Sequence, residues 1–404
     1  MESIEATQDV LASGKAAVQE IDSLQPTEKV RRIPVAAKPK ATIADVARLA
    51  GVSTATAGRV LGGYGYTSGS KKDQVMKAAE KLGYRPNALA RSLITGKTRT
   101  IGVVAGDIQN PFYASVLRGI SNIADKEGFG LLITNSDESL EQETKAVDLL
   151  VEKQVDGLIV SPCDTRIASH LRALHASGIP LVLIDRAVDG LEVDRVGTAN
   201  VAAARDAVLR LIQAGHSRIG LIAELVEEEA GGAERFIARA MAGEPVESRA
   251  LYPSWQRLLG FVQAHQLARL PVDTTLVRRV GAYSAEAAKA TTLDILGRHD
   301  RPTALFTSDG TMSEGAMSAI AELGLSLPAD LSLIGFDDLD WMAFHPPGIT
   351  TVSQPRTAMG ETAARMLLEQ INGAAIPPRT VLMPASLILR GSVGPAAGSV
   401  AQIG

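Results

Sequence analysis

The chain has 404 residues, of which 46% are hydrophobic and 4% aromatic, with a formal net charge of −4. That length supports two or three domains around large buried cores, and no apolar run approaches the roughly 20 residues that a membrane-spanning helix needs. The first residues, MESIEATQDVLASGKAAVQEID, lack the charged start and apolar stretch of a secretory leader. The single cysteine, Cys163, excludes an intramolecular disulfide framework and fits a reducing compartment, so the expected location is cytoplasmic. It follows the apolar run GLIVSP and reads as a small hydrophobe near a strand end, not as a nucleophile.

The charge is unevenly spread. Residues 41–99 hold ten Lys/Arg against three Asp/Glu, a net +7, whereas residues 100–404 carry −11. A basic module ahead of an acidic body confines attraction for nucleic acid to one end of the chain.

Residues 1–40, rich in Ala, Glu, Gln, Lys and Pro, have no clean periodicity and are expected to be a disordered tail. Its last stretch, KVRRIPVAAKPK, suits either contact with phosphates or a minor groove, or a solvated linker. Residues 41–85 read as three short helices. In TIADVARLAG, Thr42 is a candidate N-cap, Ile43, Val46, Ala47, Leu49 and Ala50 fall on one side, and Gly51 is the break. Ser53 caps a second helix that ends at Gly62-Gly63. The third, SKKDQVMKAAEKLGY, is expected to turn Val75, Met76, Ala79 and Leu82 inward and to end at Gly83. Two short helices joined at a glycine and packed on a third are what a helix-turn-helix requires. In residues 86–99, Pro86 forces a break, Asn87 caps a short helix through Leu93, and Gly96 closes it.

From Thr100 the pattern changes. TIGVVA, FGLLIT, DGLIV, IPLVLID, RIGLIA, TALFTSD and LSLIGFDD alternate with helical stretches. Continuous apolar runs suit strands buried on both faces of parallel sheets. Some 290 residues of this are too many for one sheet, so two doubly wound subdomains are expected within 100–396, followed by a tail at 397–404. The fold class is α/β, with an all-α helix-turn-helix headpiece and a hinge helix ahead of the two sheets.

The ordered strings TIADVARLAGVSTATAGRVLGG, KLGYRPNALARSL, NPFYASVLRGI, LIDR, AGHSRIGLI, TSDGTMSEGAMSAI, LSLIGFDD and TTVSQPRTAMG resemble the LacI-type family of transcription regulators over essentially residues 42–390. That resemblance implies a core like periplasmic sugar-binding proteins, with one subdomain from about 100–198 and 355–385 and the other from about 199–354 and 386–396. It also implies a homodimer on a near-palindromic operator.

The second helix would enter the major groove, offering Thr54, Ala55, Thr56 and Arg59 to base edges, with Ser53 at its start a further DNA contact. Thr and Ala methyls suit thymine, while Arg59 suits either a bidentate guanine contact or a phosphate clamp. Gly58 costs this helix roughly 1 kcal/mol against Ala. Thr42, Ser68, Lys71 and Lys72 suit backbone contacts that fix register. By the resemblance, Asn87, Ala90 and Leu93 belong to a hinge helix that folds in the minor groove, where Leu93 wedges into a base step.

The resemblance also places a ligand site at the strand ends. It implies Asn110, Phe112 and Tyr113 after the first strand, Asp185 and Arg186 after LVLI, Arg257, Ser308 and Asp309, Asp337, and Gln354. Carboxylates and guanidinium forks bind vicinal hydroxyls through paired hydrogen bonds. The effector implied is a monosaccharide, while two arginines would equally suit a sugar acid. Asp309 and Asp337 also read as helix N-caps, and Arg186 as a structural ion pair. The stretch ELVEEEAGGAERFIARAMAGEPVESRALYP is longer than the family pattern and reads as a surface insertion, a lid or a subunit contact.

The function expected is repression of a carbohydrate operon, relieved by a small sugar-like inducer. A corepressed nucleobase sensor is the alternative regulator, and a sugar-transport protein the alternative class, against which the basic headpiece argues. No triad, metal-ligand spacing or phosphate loop points to an enzyme or a cofactor, and His216 and His345 read as isolated structural residues.

Overall fold

The computed structural model describes residues 41–62, 66–84, 96–225, 231–248, 251–374 and 376–396. The expected 1–40 tail, the hinge residues Asn87, Ala90 and Leu93, and the 397–404 tail lie outside the described residues. The chain divides into two units, residues 1–91 and 92–404.

In the first unit, α1 (Ile43–Ala50), α2 (Thr54–Gly62) and α3 (Gly69–Leu82) pack around Val46, Ala47, Ala57, Val75, Ala78 and Ala79. Gly51 and Gly83 end α1 and α3 in the left-handed conformation, at φ 64° and 60°, which glycine adopts without a Cβ penalty. Alanines at the helix contacts bring the backbones close, so the buried stripe is narrow. Leu49 and Met76, expected inside, are 46% and 51% exposed, and Leu82 is also exposed.

The second unit contains two six-stranded sheets. Its elements run β1 (Thr100–Ala105), α4 (Pro111–Glu127), β2 (Gly130–Asn135), α5 (Leu140–Glu152), β3 (Gly157–Val160), α6 (Ser169–Ala176), β4 (Leu181–Ile184), β5 (Asp194–Thr198), α7 (Asn200–Gln213) and β6 (Ile219–Ala223). They continue with α8 (Ala233–Met241), α9 (Pro253–Leu267), β7 (Val277–Arg279), α10 (Ala285–Leu296), β8 (Ala304–Thr307), α11 (Gly310–Glu322) and β9 (Ser332–Phe336). The last are α12 (Asp340–Phe344), β10 (Thr350–Ser353), α13 (Arg356–Ile371), β11 (Thr380–Met383) and β12 (Ser386–Ile388).

The first sheet has the order β11-β5-β4-β3-β1-β2, all parallel, and the second β12-β10-β9-β8-β6-β7. Gly102 of β1 pairs with Leu132 on one side and Leu158 on the other. Helices cover both faces of each sheet, which is why β3, β4, β6, β8 and β9 are buried throughout. FGLLIT departs from that pattern. It forms β2 at a sheet edge, with Leu132 and Ile133 exposed.

The chain crosses between the sheets after Thr198, at Gln354-Pro355 and at Pro384-Ala385. The last crossing has two residues, so the backbone runs straight on. It leaves the first sheet at a strand C-terminal end and enters the second at the ends that face it, and β12 is therefore antiparallel to β10. Among the described residues no helix is long and apolar enough to cross a membrane.

Glycines set the closest helix contacts. A Cβ on Gly119 of α4 would lie 2.0 Å from the Thr357 carbonyl oxygen of α13, and one on Gly360 would lie 2.0 Å from the Val116 oxygen. Gly260 on α9 and Gly315 on α11 meet the backbones of α7 and α10 in the same way. Neither backbone can yield locally, so Gly119→Ala is expected to lower unfolding free energy by about 2–3 kcal/mol in denaturant titration. A loss below about 0.5 kcal/mol would show that the helices separate freely.

Candidate functional site

In the helix-turn-helix, Thr42 and Asp45 form a capping box. The Asp45 amide donates to Thr42 Oγ1 at 3.3 Å, and the Thr42 amide donates to Asp45 Oδ2 at 3.0 Å. The Thr42 hydroxyl, which donates to Asp45 Oδ2 at 2.7 Å, and the Thr42 amide, with Arg48 nearby, hold the Asp45 carboxyl below its ordinary pKa. Ser53 Oγ accepts from the Thr56 amide at 3.2 Å and closes the first turn of α2. Burial of Ala57 fixes the rotation of α2 and leaves Thr54, Ala55 and Arg59 exposed, with Thr56 half-buried. Arg59 Nε reaches back to the Ala55 carbonyl at 3.4 Å, a weak bond that a base or phosphate can displace. Ser68, Lys71 and Lys72 are exposed at the start of α3, and the Ser68 hydroxyl makes no capping bond.

In the second unit, a cleft of about 230 Å³ lies between the sheets. It is lined from the C-terminal ends of the strands, where parallel sheets place ligands. Asn110 N-caps α4, accepting from the Phe112 amide at 2.9 Å, and its Nδ2 donates to Tyr283 Oη of the other subdomain at 2.8 Å. Phe112 and Tyr113 are buried edge-to-face, with centroids 5.1 Å apart. The Tyr113 hydroxyl lies 2.9 Å from Ser161 Oγ and donates to Glu138 at 3.3 Å. Burial raises the Tyr113 phenol well above its ordinary pKa.

Two guanidinium groups occupy the cleft. Arg186 makes a two-pronged ion pair with Glu138, donates to the Pro162 carbonyl at 2.9 Å and stacks over Tyr252 of the opposite subdomain at 4.5 Å. Arg257 lies 3.8 Å over the Phe336 ring, donating to Asn200 Oδ1 at 2.9 Å and to the Ser308 carbonyl at 2.5 Å. Gln354, at the second crossing, accepts from Thr198 Oγ1 at 2.6 Å and donates to Asp337 at 2.5 Å.

The carboxylates divide into two kinds. Asp309 and Asp337 are caps as well as cleft residues. Asp309 accepts from the Met312 amide and Ser308 Oγ, each at 2.9 Å, and Asp337 accepts from the Gly310 amide at 2.9 Å. Asp185, in the left-handed conformation at φ 68°, is buried with Oδ1 unpartnered. Burial raises the pKa of both Asp185 and Asp309.

Ser308 does not line the cleft: its side chain is buried behind it, and its carbonyl anchors Arg257. Glu138, Glu224, Tyr252, Ser254 and Tyr283 do line it and were not expected there. Glu138 and Glu224 both follow strand C-termini, so the strand-end rule that found Asp185 also points to them. The long segment after β6 brings both its ends to the cleft, at Glu224 and Tyr252. The helix within it, α8, buries Phe236, Ile237 and Ala240 in the second subdomain's core, with Phe236 edge-on to Trp255 at 5.1 Å. It is built into the core and is not a surface addition. His216 is structural, bridging Thr303 and Ser332 at 2.9 and 3.0 Å.

A helix-turn-helix unit followed by a two-sheet core with a polar interdomain cleft defines a bacterial transcription regulator of the periplasmic-binding-protein-like class. Residues 42–87 match the bacterial regulatory proteins of the lacI family, and residues 208–393 match the periplasmic binding protein-like domain. The HTH-type transcriptional repressor CytR of Escherichia coli (strain K12) is 35% identical over 356 residues, 87% of this chain and 96% of that one. The lac repressor dimer bound to operator and the anti-inducer ONPF superposes with a TM-score of 0.73 at 25% identity, covering 88% of this chain and 99% of that chain. A LacI family transcriptional regulator from Enterococcus faecium with bound ribose gives a TM-score of 0.60 at 25% identity, covering 73% and 99%. The chain therefore belongs to the LacI family and is a DNA-binding transcriptional repressor, not an enzyme.

Burial raises the pKa of Glu224 to about 7, with Arg186 opposing and Asp309 and Glu138 reinforcing the shift. A carboxyl raised on folding binds more protons in the native state, so stability falls as pH rises from about 4.5 to about 7. Glu224→Gln removes that penalty. Calorimetry should show the variant more stable than the parent by on the order of 1–3 kcal/mol at pH 8.5, with the gap closing by pH 4.5. An equal gap at both pH values would rule out titration of Glu224 as its source.

Proposed function

We propose that the chain binds a near-palindromic operator as a homodimer and represses a carbohydrate catabolism or uptake operon until a small sugar-like ligand occupies the interdomain cleft. The observation that carries this reading is the cleft itself. Carboxylates, two carboxamides and two guanidinium groups converge there from both subdomains beside aromatic rings. Such a set pairs with the hydroxyls and apolar face of a sugar. The relative from Enterococcus faecium holds ribose, which supports a sugar here. A ligand bridging Asp185 and Arg186 on one side and Arg257 and Asp309 on the other favours one subdomain angle. Operator affinity then changes by the coupling energy, typically about 1–3 kcal/mol.

On the DNA side, α2 enters the major groove with Thr54, Ala55, Thr56 and Arg59, while Thr42, Ser53, Ser68, Lys71 and Lys72 hold the backbone. Selection from a randomised duplex pool should recover a near-palindrome. Any sugar that raises the chain's unfolding temperature should weaken its binding by about 5–150-fold. A non-palindromic consensus, or binding indifferent to every stabilising ligand, contradicts the proposal. Within that site, Arg59→Ala should cost about 1–3 kcal/mol and relax preference at one base pair, whereas Lys71→Ala should weaken all sequences alike and lower the salt slope by about 1. The opposite pattern in a mutated-site titration would exchange the two roles.

A further inference from the structure

Two buried oxygens of the cleft have no hydrogen-bond partner: Asp185 Oδ1 and Ser254 Oγ. Both residues are more than nine-tenths buried and both line the cleft, one from each subdomain. Leaving a buried polar atom unpaired costs about 1–3 kcal/mol, so an unpaired pair facing one cavity points to groups that a ligand supplies. Glu224 joins them on the same cavity. It faces Arg186 and Glu138 from the first subdomain, and Asp309 and Arg257 from the second.

The charge of the lining sets what that ligand is. Asp107, Glu138, Asp185, Glu224, Asp309 and Asp337 line the cleft against two cations, Arg186 and Arg257. Neither cation presents an open fork. Arg186 spends its terminal nitrogens on Glu138 and the Pro162 carbonyl, and Arg257 is bonded to Asn200 and Ser308. Arg186 Nε, which has no hydrogen-bond partner, lies 3.9 Å from Asp185 Oδ2 and so already faces a carboxylate. A carboxylate or phosphate on the ligand would enter a field of like charge without a free bidentate partner.

We infer that Asp185, Glu224 and Ser254 form an acceptor wall that reads hydroxyl donors and excludes anions, so the effector is a neutral polyhydroxy compound and not a sugar acid or sugar phosphate. The inference rests on the reading of the cleft as a sugar receptor. It narrows the two classes that a pair of arginines left equal. Glu224 is the adjustable member of the wall. Its carboxyl ionises near pH 7, and discrimination against anions grows as it does.

Calorimetric titration of the full chain at pH 8 with three matched pairs is the test: D-glucose and D-glucuronate, D-galactose and D-galacturonate, D-ribose and D-ribose 5-phosphate. At least one neutral sugar should bind, with its anionic counterpart at least about tenfold weaker. Glu224→Gln, a near-isosteric change, should bring that ratio below about tenfold. Ser254→Ala should weaken the neutral sugar by about three- to tenfold, an independent reading should the first variant misfold. An anion that binds as tightly as its neutral parent overturns the inference alone. An unchanged ratio in Glu224→Gln removes Glu224 from the wall. No binding by any of the six overturns the sugar reading itself, and the inference with it.

Discussion

Gln354 stands where the chain returns from the second subdomain to the first, and its carboxamide joins three parts of the core. Its oxygen accepts from Thr198, at the first crossing, and its nitrogen donates to Asp337, at the end of β9. The side chain is buried, so losing either bond would leave a buried polar atom short of a partner. Any change in subdomain angle is a rotation about these crossings. Bonds at the axis would survive it, while the contacts further out, Asn110 with Tyr283 and Arg186 over Tyr252, join the two subdomains and would have to give way. A rigid floor and a breakable rim are what a two-state receptor needs.

The walls of the cleft cost the fold stability. Burial pushes Asp185, Glu224 and Asp309 towards their neutral forms, each an expense that an apolar lining would not incur. Asp309 and Asp337 offset part of theirs by capping: each accepts backbone amide hydrogen bonds in and around α11. The structural and ligand-binding readings of these two residues are therefore compatible. Asp185 has less compensation, and its φ of 68° adds backbone strain to an unpaired oxygen. The surrounding scaffold holds such a site because its helices pack at close glycine contacts and keep the central strands of both sheets buried.

Much of this was legible in the residues. Continuous apolar runs gave the parallel sheets, because strands covered on both faces need no polar alternation. Thr42, Gly51 and Gly83 gave the helix ends, because caps are local chemistry. What misled was exposure set by tertiary context. FGLLIT has the composition of a central strand but sits at an edge, and Leu49 and Met76 fall outside a stripe that close-packed alanines keep narrow. In the cleft, residues following strands were recoverable when family pattern and strand-end position agreed, as at Asp185 and Asp337. Glu224 carried the same positional signal but was hidden at the head of an acidic stretch. Tyr252 and Tyr283 come from loops whose path no periodicity encodes. Ser308 was misplaced because its neighbour Asp309 faces the cavity while its own side chain turns into the core.

The coupling role of the second crossing is open to one direct measurement. Operator affinity is determined for the parent chain and for Gln354→Leu, each with and without a sugar that stabilises the parent. The sugar should shift the parent's operator affinity by at least about fivefold, and that of the variant by less than about twofold, while the variant still binds the operator. A variant that keeps the parent's full response would contradict the coupling role assigned to Gln354.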